Sequence, residues 1–200
     1  MSSSPIDKIH WLAKEKGILR PRDLDLYGIP RRWMSRLHER GQLVRIGRGL
    51  YTLPNAVPSS NRSLAEVSKR IPSGVICLLS ALQYHELTTQ VPRQVWIAID
   101  TRARSPRVDD LPARIVRFSG DSFSAGIDTL EIEGVTVRIY NPAKTVADCF
   151  KFRNKIGLDV TIEALKDCLR KRKATVDQLW TYARVCRVSN VIKPYMESLL

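Results

Sequence analysis

Apolar residues recur at helical spacing through the first forty positions, then give way to two short runs around a glycine turn. Ser4 stands where a helix cap is expected, Pro5 suits a first turn, and Ile6, Ile9, Leu12 and Ala13 form one apolar face. Gly17 ends that helix. The spacing predicts a second, short helix over 21–27, stopped by Gly28, and a third from near Pro30 to Arg40, terminated by Gly41. Leu43–Ile46 and Leu50–Leu53 around Gly47-Arg48-Gly49 predict a hairpin. Further on, Ser63-Leu64-Ala65-Glu66 predicts a capping box opening a helix, and Ser73-Gly74 introduce another over 75–87. Runs over 94–99, 114–118, 129–133 and 136–140 read as strands, the last two joined at Gly134. Helices follow from Pro142 to about 152, over 160–172, over 176–186 behind a Thr175–Gln178 capping box, and over 191–199.

This order predicts an α+β protein. An N-terminal winged helix-turn-helix is followed by a mixed α+β domain with a small sheet and several helices. The segment from Pro54 to Asn61 is polar, holds two prolines and reads as a linker. It separates a DNA-binding domain, residues 1–55, from a second domain, residues 63–200.

Charge sharpens the picture. The 200 residues carry 33 Lys and Arg against 20 Asp and Glu, a net +13, which points to a polyanionic partner. Residues 1–55 hold 11 basic against 5 acidic residues, a net +6, so nearly half the excess sits on about a quarter of the chain. The longest apolar stretch, 74–82, is too short to span a bilayer, and the N-terminus has no secretory pattern. We therefore expect a cytoplasmic protein without membrane contact. Cys77, Cys149, Cys168 and Cys186 form no C-x-x-C pair and read as buried, reduced thiols.

The candidate DNA-reading surface lies on the third helix and the hairpin. Ile29, Trp33 and Leu37, widened by Met34, make the inward face, with Trp33 read as core. Arg31, Arg32, Ser35 and Arg36 lie on the opposite face, where arginine forks can bond guanine O6 and N7. Arg45 and Arg48 flank the glycine-bounded hairpin tip, suited to phosphate contact. His38 reads as a surface residue. The run Arg170-Lys171-Arg172-Lys173 is explained as well by the helix dipole as by a partner.

The chain also resembles the AbiEi antitoxin family, transcriptional regulators of type IV toxin–antitoxin systems. The resemblance rests on Gly28–Arg32, Leu37–Arg45, Gly47–Tyr51, Leu79–Leu87, Tyr140–Asp148 and Phe152–Gly157. It implies binding to inverted repeats in the protein's own promoter and an antitoxin role for the C-terminal domain. It also implies a nucleotidyltransferase-like toxin as functional partner, with no stable complex between the two.

Two other classes compete. A nuclease of the PD-(D/E)xK type would need Asp or Glu two residues before a Lys, and the sequence has neither pattern. Glu131 and Glu133, read as sharing a strand face, and Asp100 make a poor metal site. Ser80 and His85 lie five apart without an orienting acid. No catalytic residue, metal or cofactor is expected; a degenerate nuclease is the remainder of that class. The second rival is a basic α+β protein-interaction module, with Val91-Pro92 and the terminal Leu199-Leu200 as its surface.

Overall fold

The computed structural model describes residues 4–108 and 110–199; residues 1–3, Asp109 and Leu200, and with it half of the C-terminal leucine pair, lie outside the described set. The protein is α+β, with helices and one mixed five-stranded sheet besides a small hairpin. By its internal contacts the chain divides into two units. The first takes in residues up to Pro72, with Val108–Leu111 and Glu131–Val137; the second holds the rest.

The first unit opens with α1 (Pro5–Lys16), capped as its sequence suggests: Ser4 Oγ accepts from the backbone N–H groups of Ile6 and Asp7 at 3.2 and 3.3 Å. Ile9, Leu12 and Ala13 are buried. The segment over Pro21–Tyr27 is a 3-10 helix closed by Gly28 in the left-handed region (φ 64°). Helix α2 spans Arg32–Glu39, starting at Arg32 because Pro30 and Arg31 form the turn before it. Strands β1 (Val44–Gly47) and β2 (Leu50–Thr52) pair antiparallel, with an irregularity between Arg45 and Gly47. Leu19 and Tyr51 exchange both backbone hydrogen bonds, at 2.8 and 2.9 Å, so β2 also pairs with the segment between α1 and the 3-10 helix. Leu12, Leu19, Leu24, Ile29, Met34, Leu37, Leu43 and Tyr51 share one apolar core, with Trp33 packed half-buried against it.

Helix α3 (Arg62–Arg70) also belongs to this unit. The Ser63–Glu66 capping box does not form: the cap position falls two residues earlier, at Asn61, and Ser63 lies inside the first turn. The reason is a long-range anchor. The Glu133 carboxylate accepts from the Ser59 N–H at 2.6 Å and from Arg62 Nε at 2.9 Å, which fixes the chain just ahead of the expected cap. Glu133 itself is in a left-handed turn (φ 48°), not on a strand face beside Glu131. Next to it, Gly134 (φ 68°) lies so close to the Lys16 backbone that a Cβ would strike it, and Gly17 (φ 57°) meets the Glu133 carbonyl in the same way.

The second unit holds most of the five-stranded sheet, the strand residues within 131–137 being counted with the first. The strands of the sheet are β3 (Val75–Ile76), β4 (Val95–Asp100), β5 (Ala113–Phe118), β6 (Ile127–Ile132) and β7 (Val135–Tyr140), in the order β5-β4-β3-β7-β6. β3 pairs antiparallel with β4 and parallel with β7, and β4 pairs parallel with β5. Val75 and Ile76 thus open a central strand, not the expected helix over 75–87. Their β-branched side chains suit a slot between two strands, and a short apolar run does not distinguish strand from buried helix. Helix α4 (Leu78–Tyr84) follows at once. After the short α5 (Asp121–Ser124), α6 (Pro142–Lys151) is capped by Asn141, whose side chain accepts from the Lys144 N–H at 2.9 Å. Residues Ala143–Phe150 are all buried, which makes α6 the central helix of this unit. Around it stand α7 (Arg153–Ile156), α8 (Leu158–Arg170), α9 (Val176–Val185) and α10 (Ser189–Glu197). Thr175 and Gln178 form the reciprocal capping box at α9. The four cysteines are buried and free.

Candidate nucleic-acid interface

Helix α2 separates its two faces sharply. Met34 and Leu37 are fully buried, while Arg32, Ser35 and Arg36 are exposed. The Arg36 guanidinium lies 5.5 Å from the centre of the Trp33 ring, one turn back, which holds this charge along the outer face. Arg31 is placed differently. It precedes the helix, and its fork engages Asp25 of the 3-10 helix: Nε donates to Oδ1 at 2.8 Å and Nη2 to Oδ2. That hydrogen-bonded pairing holds the exposed Asp25 carboxyl below its ordinary range and the Arg31 guanidinium above its own. On the hairpin, Arg45 is exposed and its Nε donates to the Gly47 carbonyl at 3.2 Å. Arg48, exposed at the turn, gives its carbonyl oxygen to Arg70 Nη1 at 2.5 Å. His38 is exposed, with Nδ1 3.1 Å from the Leu43 carbonyl.

The six residues therefore fall into two groups and one residue apart. Arg32, Ser35 and Arg36 share the outer side of α2. Arg31 and Arg48 line a depression of about 300 Å³ together with Arg20, Arg22 and Arg70, while Arg45 lies on β1. Sequence reasoning missed Arg20, Arg22 and Arg70. Arg20-Pro21-Arg22 carried a local signal, two arginines around a helix start. Arg70 carried none, because it stands 22 residues beyond Arg48 and past the Pro54–Asn61 segment.

Neighbouring carboxylates hold this depression in shape. Asp23 accepts from Lys69 Nζ at 2.9 Å and from the Arg20 N–H at 2.9 Å; burial alone would raise its carboxyl, but these donors and the nearby cations hold it below the ordinary range. Arg70 forks onto Asp110 at 3.1 and 3.2 Å. Burial depresses the Arg20 guanidinium, Arg22 and Arg70 add to the effect, and Asp23 opposes it.

The residues weighed for catalysis are engaged elsewhere. Ser80 Oγ, buried, accepts from the Trp96 N–H at 2.9 Å. His85 Nε2 lies 2.7 Å from the Tyr140 carbonyl, and burial lowers its pKa. Asp100 Oδ1 accepts from the Arg102 N–H at 2.7 Å. The first half of the basic run at the end of α8 is tied to a carboxylate as well: Arg170 and Lys171 reach Asp167 at 2.8 and 2.9 Å.

Residues 9–54 match a family model described as transcriptional regulator, AbiEi antitoxin. The match runs from within α1 to just past β2, the same elements that carry the arginine surface. No curated protein matches the chain significantly. Over residues 9–54 the chain is thus similar to the AbiEi antitoxin transcriptional regulators.

Proposed function

We propose that this protein is a DNA-binding transcriptional repressor that autoregulates its own operon and serves as the antitoxin of a type IV toxin–antitoxin system. Residues 1–55 act as a winged helix-turn-helix and residues 63–200 as the antitoxin domain. The observation that carries the reading is the division of α2 into a buried Met34–Leu37 side and an exposed Arg32–Ser35–Arg36 side, next in sequence to a basic hairpin. The Leu19–Tyr51 pairing supports the winged form, because it ties the hairpin to the segment ahead of the helices. In this reading α2 enters the major groove, Arg32, Ser35 and Arg36 meet base edges, and Arg45 and Arg48 meet backbone phosphates. Two copies read the two halves of an inverted repeat.

The functional partner is a nucleotidyltransferase-like toxin, opposed without a stable complex. No helix among the described residues is long and apolar enough to cross a membrane, which is compatible with a cytoplasmic regulator. A reporter fused to the protein's own promoter tests the first half: expression of the protein in trans should lower its output, and unchanged output contradicts autoregulation. Co-expression with the product of the adjacent gene tests the second: growth restored by this protein supports the antitoxin role, and persistent arrest contradicts it.

A further inference from the structure

Five arginines from four separate segments line one depression of about 300 Å³: Arg20 and Arg22 around the start of the 3-10 helix, Arg31 ahead of α2, Arg48 in the hairpin turn and Arg70 at the end of α3. Among the described residues no carboxylate lines it. Asp23, Asp25 and Asp110 hold Arg20, Arg31 and Arg70 from its edge, so the guanidinium groups are positioned in advance. Arg22 is exposed and makes no ion pair among the described residues. Arg20 Nε is buried and makes no hydrogen bond among the described residues, with Asp23 Oδ1 3.7 Å away. A concave site of several like charges, with fixed planar donors, suits a tetrahedral oxyanion. Arginine forks match phosphate oxygens in pairs, which the lysine ammonium does not do.

We propose that this depression seats one backbone phosphate of the DNA strand passing between the head of α2 and the hairpin turn, and that Arg20, Arg22 and Arg70 are DNA-binding residues. The inference rests on the DNA-binding reading above and adds a fixed phosphate anchor to it. Arg31 and Arg70, whose forks are taken up by Asp25 and Asp110, contribute charge here, and base reading is left to Arg32 and Arg36. The phosphate sets the register in which α2 meets the groove and carries no sequence information itself.

The test is fluorescence anisotropy of the full-length protein against two labelled duplexes, one from upstream of its own gene and one of shuffled sequence, at several salt concentrations. Arg22→Ala, Arg48→Ala and the double variant are compared with wild type after circular dichroism has verified folding. Lys193→Ala, an exposed charge on α10, controls for loss of net charge. One shared phosphate predicts that the double variant loses about 0.9 in the slope of log K against log salt, not the roughly 1.8 of two separate contacts. At 0.1 M salt that is about an eightfold loss, equal on both duplexes, because the contact is blind to sequence. Wild-type binding with an unchanged double variant overturns the phosphate seat alone. A wild type that ignores both duplexes overturns the DNA reading and the seat with it. Inorganic phosphate is the second probe, titrated calorimetrically without DNA. If it binds, the double variant abolishes that binding, and the DNA slope stays unchanged, the seat belongs to a free anion and the proposal is overturned.

Discussion

Lys144 and Asp148 show how a charged pair is kept in a core. Both are fully buried, with Nζ 2.6 Å from Oδ2, and the Cys186 thiol donates to the other carboxylate oxygen at 3.1 Å. The ammonium also faces the Tyr140 ring at 4.0 Å and Phe118 at 5.1 Å. Burial pushes the Asp148 carboxyl up, and Lys144 and Cys186 oppose it. Breaking such a pair strands its partner. Lys144→Met or Asp148→Asn should each cost about 3–5 kcal/mol in urea unfolding, and a double replacement by apolar residues should recover much of it. Single losses under about 1 kcal/mol would contradict this. The sequence marked these residues only through the family-like block Tyr140–Asp148; nothing in a Lys-x-x-x-Asp spacing distinguishes a core pair from a solvated one. His85 adds a pH dependence. Burial holds it neutral in the fold, below its value of about 6.5 in the unfolded chain. Its stabilising contribution is therefore present above pH 6.5 and lost as pH falls through its lower folded value. Wild type should lose stability to urea between pH 7.5 and 5.5, and His85→Gln should flatten that slope; equal slopes would refute the assignment.

Elements with local signals were the legible ones. The Ser4 cap, the Thr175–Gln178 box, Gly28, the apolar run of β4 and the alternation over β7 each state their structure within a few residues. The inward side of α2 was legible for the same reason, since helical spacing alone places Met34 and Leu37. What failed was set by distant partners. Val75-Ile76 is a strand because β4 and β7 flank it, and α3 begins at Arg62 because Glu133, 71 residues on, anchors it. Within the candidate interface, the α2 arginines could be read from sequence, but Arg31's attachment to Asp25 and the convergence of Arg20, Arg22 and Arg70 could not. Arg32→Ala or Arg36→Ala should weaken binding to the protein's own upstream duplex by about 1–3 kcal/mol and narrow its preference over a shuffled one. Wild-type affinity and preference in both variants would mean that α2 does not read the groove.

For the whole molecule, composition and element order were enough for the α+β class, while the extent of the compact N-terminal unit was not readable. That unit includes α3, whose Lys69 pairs with Asp23 and whose Arg70 holds the Arg48 carbonyl. A proline-bearing segment reads as a linker, yet nothing local reveals ion pairs formed across it. A fragment of residues 1–58 lacks both partners. It should melt several degrees below one of residues 1–72, since about 1 kcal/mol shifts a domain of this size by roughly 4–8 °C. Equal melting would show that α3 adds no stability. The central claim is that this protein grips duplex DNA through α2 and the hairpin. It is tested most directly by titrating the full-length protein against its own upstream duplex from low to high salt. The account predicts tight binding at low salt and a linear fall of log K with log salt, at about −0.9 per phosphate contacted. No binding at low salt, or an affinity indifferent to salt, would contradict it.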